Sequence, residues 1–595
     1  MGNLASIYQA LIRRRVSTHE SLRQSDDDLS VVNRNGVGVS EFFSVRKQRI
    51  ALGAMLVCQL FDWVVFTIVT TWIPLSMQLN IFFINIEGVN DDGKYEDYMR
   101  RVQLISILSL VILYSSAWIA GILMDAWWRK TIFVLVSFFF VAVGCGYLSA
   151  MVVTVGNGIN CTNPLNASYD CNLKSFALCL TKEPNGNSCL TVYTAWVCFI
   201  SAMGAVIRTA LPALGGDQIP NRNGVRVFYA QFYWCQKAGE TISAVLCLIY
   251  LCSWKSYITK AEKEDPSINS FKNTYNFLFD GWASAIAGAC FLSLLAVCIV
   301  AFGKLTRQVS PDFGVVKDTC LIWLQAIKRR KHRDEDGNFL DPAKRSKGGS
   351  YADQAVEDRR NMMKFSLVLL LLVPVAFATT IPTLPRILKQ SEDSLEDWLQ
   401  KNQQEIFTTV LTYLVMYVTS CLAIPIIHWL CSIMSGKGRP LTLLHRLVLG
   451  HIFMILALLT DTIMNKIVEK HIMPCTTTST FSYFRKACRY TQMAFLGICN
   501  AFIYTTGYEL TMLSAPRAMQ GAAMGLFYLM DGAANMINLA IITNTDITFY
   551  MYDSGSLKSL NFRFIIDLAG MCPLPIALIL LILSEKKYNL GLSRV

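Results

Sequence analysis

The sequence predicts an all-α membrane protein with about twelve transmembrane helices in two six-helix bundles, and three observations predict it. Charged residues make up 16% of the 595 positions against 53% hydrophobic ones, where a soluble globular chain would carry about 25% charged residues. The apolar residues gather in repeated blocks long enough to cross a bilayer, which takes roughly 20 residues. Basic residues cluster beside those blocks, at 13–15, 46–49, 129–130, 328–330 and 586–587. That placement sets orientation by the positive-inside rule. It also accounts for the net charge of +12 with the lipid bilayer, and not nucleic acid, as the partner.

Taken in order, residues 1–48 are polar and charged and read as a cytoplasmic tail, so the first span serves as the insertion signal. Within the tail, the stretch from Met1-Gly2 to Ser6 fits the loose N-myristoylation pattern. Tyr8-Gln9-Ala10-Leu11 fits a tyrosine-type endosomal sorting signal. Patterns this short arise often by chance and carry little weight. The N-terminal bundle occupies 49–303, with spans at roughly 51–79, 102–124, 131–153, 191–214, 231–252 and 280–302. The C-terminal bundle occupies 363–585, with spans at roughly 365–388, 406–432, 444–466, 492–513, 521–543 and 562–584, before a cytoplasmic tail at 586–595.

The loops test this topology, because odd-numbered ones should face outside. The loop after span three carries two glycosylation sequons, at Asn160 and Asn166, with Cys161, Cys171, Cys179 and Cys189. Both features belong on an extracellular or lumenal face. The loop after span nine adds Cys475 and Cys488. One or two disulfides in the first loop and one in the second are expected, with the connectivity open. The central loop, 304–362, is the cytoplasmic counterpart, with the basic run 328–333 and no sequon. Its first part sets Cys320, Leu321, Trp323, Leu324 and Ile327 near helical spacing, which reads as a basic amphipathic helix on the membrane surface. The remainder, through 334–350, is polar and reads as disordered. This loop and the N-terminal tail are where a cytoplasmic protein partner would engage.

Charge inside the spans carries the functional signal. Arg208 interrupts span four, and Lys237 and Glu240 interrupt span five. A central Arg or Lys costs about 2.5–3.5 kcal/mol on insertion scales, so such residues face a protein interior or a water-filled path. Lys237 and Glu240 stand three apart, within helix pairing distance, and either belong to a site or neutralise each other. Asp62, Asp461, Asp531 and Asp567 are further acids in or near spans, the last three read as helix-end residues. His428, His445 and His451 are also read as helix-end residues; no spacing suggests a metal site, and no phosphate loop or catalytic nucleophile is present, so the chain is not read as an enzyme.

Two six-span halves around a midplane site is the plan of the major facilitator superfamily. After span two, Asp125 followed by Arg129 resembles the gating motif of that superfamily. The run Arg208-Thr209-Ala210-Leu211-Pro212-Ala213-Leu214-Gly215-Gly216-Asp217-Gln218, followed by Phe232-Tyr233 and Gly239, resembles the signature of proton-coupled oligopeptide transporters. Glu509 with Ala515-Pro516-Arg517-Ala518-Met519-Gln520 is similar to the segment joining that family's spans ten and eleven. The peptide/histidine branch is the nearest within it.

The resemblance implies a span-one cluster of two acids and an Arg, which this chain alters. Gln59 stands for one acid, Asp62 for the other, shortened, and Trp63 for the Arg. Asn500 stands where the family has a Glu that receives a peptide's amino terminus. Arg208 replaces a Lys, and Lys237 an Asn. The implied activity is alternating-access transport of a small organic solute, a di- or tripeptide or an amino acid such as histidine, with a proton as coupling ion through Gln59, Asp62, Trp63, Arg208, Lys237, Glu240 and Asn500. The alternative is a transport-incompetent relative acting as a membrane scaffold or sensor. Either would reside in the plasma membrane or an endosomal or lysosomal membrane.

Overall fold

The computed structural model describes residues 45–72, 92–127, 129–157, 187–219, 222–264, 289, 292–293, 313–329, 339–380, 395–436, 441–472, 479–516, 519–543 and 568–588. They are almost wholly helical. The first half holds α1 (Val45–Thr67, continued by a π-turn at Ile68–Trp72), α2 (Asp92–Ala126), α3 (Lys130–Asn157), α4 (Asn187–Asp217) and α5 (Arg222–Glu264). A shorter helix, α6 (Phe313–Lys328), precedes the second half. That half holds α7 (Asp353–Thr380), α8 (Leu395–Gly436), α9 (Leu443–Ile472), α10 (Ser479–Ser514), α11 (Gln520–Thr543) and α12 (Pro573–Tyr588). In lipid each backbone N–H and C=O must be satisfied within its own segment, which leaves helix as the answer for single apolar spans.

Among the described residues nine helices are long and apolar enough to cross a membrane. Helices α5 and α10, predicted spans five and ten, are not among the nine, although they run 43 and 36 residues. Buried Gln236, Lys237 and Glu240 on α5, and Gln492 and Asn500 on α10, lower their hydropathy. The sixth predicted span lies mostly outside the described residues, as do the N-terminal tail, both sequons, Asp567, and Cys161, Cys171, Cys179 and Cys475; the side chain of Cys189 is likewise not described. Cys488 is a free thiol, which corrects the expected bridge. It sits inside α10, nine residues past the helix start at Ser479. At 1.5 Å per residue that is about 13 Å from the loop.

Helix α2 packs on α11 and α4, α5 on α8 and α10, and α7 on α11 and α12. Small residues let α2 and α11 touch backbone to backbone, as membrane helices need when no hydrophobic force drives them together. A Cβ on Gly121 would run into the Gly521 carbonyl, and one on Gly525 would lie 2.5 Å from the Ala117 oxygen.

The central loop departs from expectation. Residues 339–352 are folded, not disordered: short 3-10 turns at Asp341–Ala343 and Arg345–Lys347 are tied by Arg345 N–H to the Tyr351 oxygen at 2.8 Å. Leu340, Ala343 and Val356 bury against Ile322 and Ala326 of α6. Lys344 pairs with Asp341 at 2.7 Å and with Glu357 at 2.5 Å. The stretch reads as polar because its apolar anchors are few and irregularly spaced. Truncating a buried Leu costs about 2–5 kcal/mol. Leu340→Ala is therefore expected to unfold this lobe and expose the 339–350 segment to trypsin, with the helical bundle intact by circular dichroism.

Candidate functional site

Five carboxyl, ammonium or guanidinium side chains are buried toward the middle of the helices: Asp62 on α1, Arg208 on α4, Lys237 and Glu240 on α5, and Asp531 on α11. Arg208 points inward and is 1% exposed. Its Nε donates to Asp62 Oδ2 at 3.3 Å. Its guanidinium carbon lies 3.7 Å from the Trp63 ring centroid and 3.8 Å from that of Phe66. Residues 62 and 66 share a helix face by their four-residue spacing. One turn of α1 thus supplies a counter-charge and two π faces. Trp63, which cannot pair with a carboxylate, instead holds the cation. The Nη1 and Nη2 atoms of Arg208 have no hydrogen-bond partner among the described residues.

Gln59 sits one turn earlier on α1, wholly buried, with both amide atoms unpartnered. Buried polar atoms without partners are few in folded proteins, and they mark places where something else is accommodated. Asn500 Oδ1 on α10 is another. On α5 the sequence-predicted pair forms: Lys237 Nζ donates to Glu240 Oε2 at 2.8 Å and to Oε1 at 3.1 Å, and Gln236 Nε2 also donates to Oε1 at 3.2 Å. Lys237 also lies 5.3 Å from the Tyr233 ring and 5.7 Å from that of Tyr417 on α8. Across on α10, Tyr504 Oη donates to Asp531 Oδ1 at 2.6 Å. Asp531 is not the helix-end residue expected from sequence; it sits midway along the span Gln520–Ile541. His451, also read as a helix-end residue, is fully buried inside α9 with Nδ1 bonded to the Leu447 oxygen at 2.8 Å.

The end of the bundle carrying the α2–α3, α4–α5 and α10–α11 connections is closed by three sets of contacts. Asp125 accepts from the Gly521 and Ala522 amides at 3.1 and 2.7 Å, capping α11 from a different helix. Those first-turn amides have no partner inside their own helix, and the dipole favours an acid there. The base beside it is Lys130, bound to Asp217 at 2.7 Å; Arg129, the base expected from sequence, is exposed. Glu509 pairs with Arg226 of α5 at 3.1 Å and with Arg446 of α9 at 2.7 Å. Finally α5 and α10 interleave aromatic rings, Tyr229 on Tyr508 at 5.9 Å and Tyr233 on Tyr504 at 5.4 Å. Asp125→Ala is expected to cost about 0.5–2 kcal/mol, the weight of a lost N-cap, seen as a lower melting temperature of the purified protein.

Sequence reading missed Tyr504, Tyr508, Lys130, Arg226 and Arg446. The tyrosines carried a signal: 229 and 233, like 504 and 508, stand four apart, so each pair presents one aromatic face.

A sequence profile described as the PTR2, POT family matches residues 175–550. Solute carrier family 15 member 3 of Rattus norvegicus is 22% identical over 385 residues, covering 60% of this chain and 62% of that protein, so the match spans less than two thirds of that relative. Two solved structures share the fold. One is the POT family transporter PepTSo, at 14% identity and a TM-score of 0.53 over 91% of this chain and 98% of that one. The other is a POT family transporter in complex with a thioalcohol-conjugated peptide, at 14% identity and a TM-score of 0.52 over 90% and 96%. POT proteins are membrane transporters and not enzymes. With the family profile over more than half its length and the fold shared with these structures, the chain belongs to the proton-coupled oligopeptide transporter (POT) family and has the major facilitator fold.

Proposed function

We propose that the protein moves a small zwitterionic solute, a di- or tripeptide or an amino acid such as histidine, by alternating access between its two bundles. The observation that carries this reading is Arg208: a permanent cation, fully buried, with two guanidinium nitrogens unpartnered among the described residues. A guanidinium presents a fork that suits a carboxylate. The solute's carboxylate is read as binding Nη1 and Nη2, while Asp62 and the Trp63 and Phe66 rings hold the guanidinium in place. The conjugated peptide found in complex with one POT transporter of this fold belongs to the same solute class. The Glu509 ion pairs, the Asp125 cap and the α5–α10 aromatic contacts form the gate on the side the loop charges mark as cytoplasmic, so the conformation described is closed to that side.

Uptake of labelled di- and tripeptides and histidine into vesicles, with and without an inward acid gradient, tests the reading. Wild-type protein is expected to accumulate at least one of them. Arg208→Gln, reaching the membrane in equal amount, is expected to lose uptake by the roughly tenfold to hundredfold that a charged hydrogen bond of about 1.5–3 kcal/mol carries. A well-folded wild type that moves none of these solutes favours the scaffold reading.

A further inference from the structure

The buried charges do not balance. Asp62, Glu240 and Asp531 are three acids, Arg208 and Lys237 two bases, and three minus two leaves one negative charge among the described residues at the centre. The pairing shows where it falls. Arg208 is taken by Asp62 at 3.3 Å and Lys237 by Glu240 at 2.8 Å. Asp531, 5% exposed, holds the neutral hydroxyl of Tyr504 at 2.6 Å. An uncompensated carboxylate at that depth costs several kcal/mol.

We propose that the Asp531 carboxyl is the exchangeable proton carrier of this protein, a role that rests on the transport reading above. In the step, a carboxylate oxygen of Asp531 takes up one proton from the more acidic side and becomes a neutral carboxylic acid. After the halves rearrange it releases the same proton to the other side. No other bond is made or broken. A zwitterionic solute adds no net charge, so one proton balances the centre of the loaded carrier, and the empty carrier returns without it, so that each cycle moves one proton with one solute.

The surroundings of Asp531 suit a proton more than a second fixed cation. Tyr528 on its own helix, Tyr114 on α2 and Tyr233 on α5 lie within electrostatic range of it, as does Lys237. Tyr504 of α10 is bonded to it, and Tyr508 follows one turn further along that helix. Arg208 of α4 and Glu240 of α5 are already paired, as is Asp62 of α1. Helix α7, which also packs on α11, carries no titratable side chain from Phe365 to Thr380. Among the described residues Lys237 is the one base in range, and Glu240 holds it.

Two readouts decide the proposal, and the first needs no transport. In purified protein, an infrared pH titration is expected to show a protonated-carboxyl band that is absent from Asp531→Asn and has a shifted midpoint in Tyr504→Phe, where the bonded hydroxyl is gone. A band that persists unchanged in Asp531→Asn overturns the assignment, whether or not any solute is carried. Asp531→Glu, which keeps the acid, is expected to keep a titrating band and controls for misfolding. In proteoliposomes loaded with an accepted peptide, an inward gradient of about one pH unit is expected to drive about tenfold accumulation in wild type, the factor that one coupled proton supplies. Asp531→Asn is expected to abolish that accumulation while sparing solute-for-solute exchange. Loss of exchange along with binding would make Asp531 the counter-ion of a solute ammonium group, and undiminished accumulation would remove it from coupling; either result overturns the proposal. A wild type that carries nothing defeats the transport reading alone, and the infrared titration still settles the carboxyl.

Discussion

Asp62→Asn is expected to sharply reduce the yield of folded protein, and Arg208→Gln added to it is expected to bring most of the yield back. The single change leaves a guanidinium at 1% exposure without the carboxylate that faces it. Breaking one side of a buried ion pair costs about 3–5 kcal/mol, whereas replacing both partners by neutral groups is often close to neutral. The Trp63 and Phe66 rings recover only part of the loss, about 0.5–2 kcal/mol for a cation over an aromatic face. Thermal unfolding followed by size-exclusion chromatography of detergent-purified protein separates the two variants. The double variant, folded but lacking the guanidinium, should stay inactive in uptake. A single variant as stable as wild type would mean that Asp62 does not hold Arg208.

Glu509→Gln is expected to have the second large effect, on conformation. Glu509 is the one acid shared by Arg226 and Arg446, on helices α5 and α9, and it is 4% exposed. Neutralising it leaves two arginines facing an amide at the closed end. At about 1.5–3 kcal/mol per charge-assisted contact, the loss of even one of them should move the equilibrium between closed and open forms by roughly tenfold to more than a hundredfold. Spin labels or fluorophores on α5 and α10 near Arg226 and Met512 would read a longer distance in the variant. The α5–α10 aromatic stacks oppose the opening, so Tyr508→Ala combined with Glu509→Gln should open this end further than either change alone.

Much of this was legible in the chain. Apolar runs located the long helices among the described residues, matching both ends within four residues at 131–153, 191–214 and 521–543, while others run further, as α10 does from Ser479; the three-residue spacing of Lys237 and Glu240 placed them within pairing distance. Arg208 and Asp62 were both singled out, though nothing local in either segment says that they meet, since 146 positions separate them. The central lobe was hidden because Leu340, Ala343 and Val356 follow no helical or strand period; their burial depends on Ile322 and Ala326, which only the fold brings near. Asp531 was misjudged for a related reason. Periodicity places a residue on a face, but only the partners on α5 and α10 show that its charge is left over. Near Asp125, Arg129 and Lys130 are adjacent in sequence and equally basic, and only the fold shows that Lys130 reaches Asp217.

The most direct measurement is calorimetric binding of di- and tripeptides and single amino acids to the purified protein, each paired with its C-terminal amide. If Arg208 receives the solute through Nη1 and Nη2, the free acids bind and the amides lose most of that affinity, and Arg208→Gln no longer tells the two apart. Amides that bind wild-type protein as tightly as the acids do would contradict a carboxylate site at Arg208.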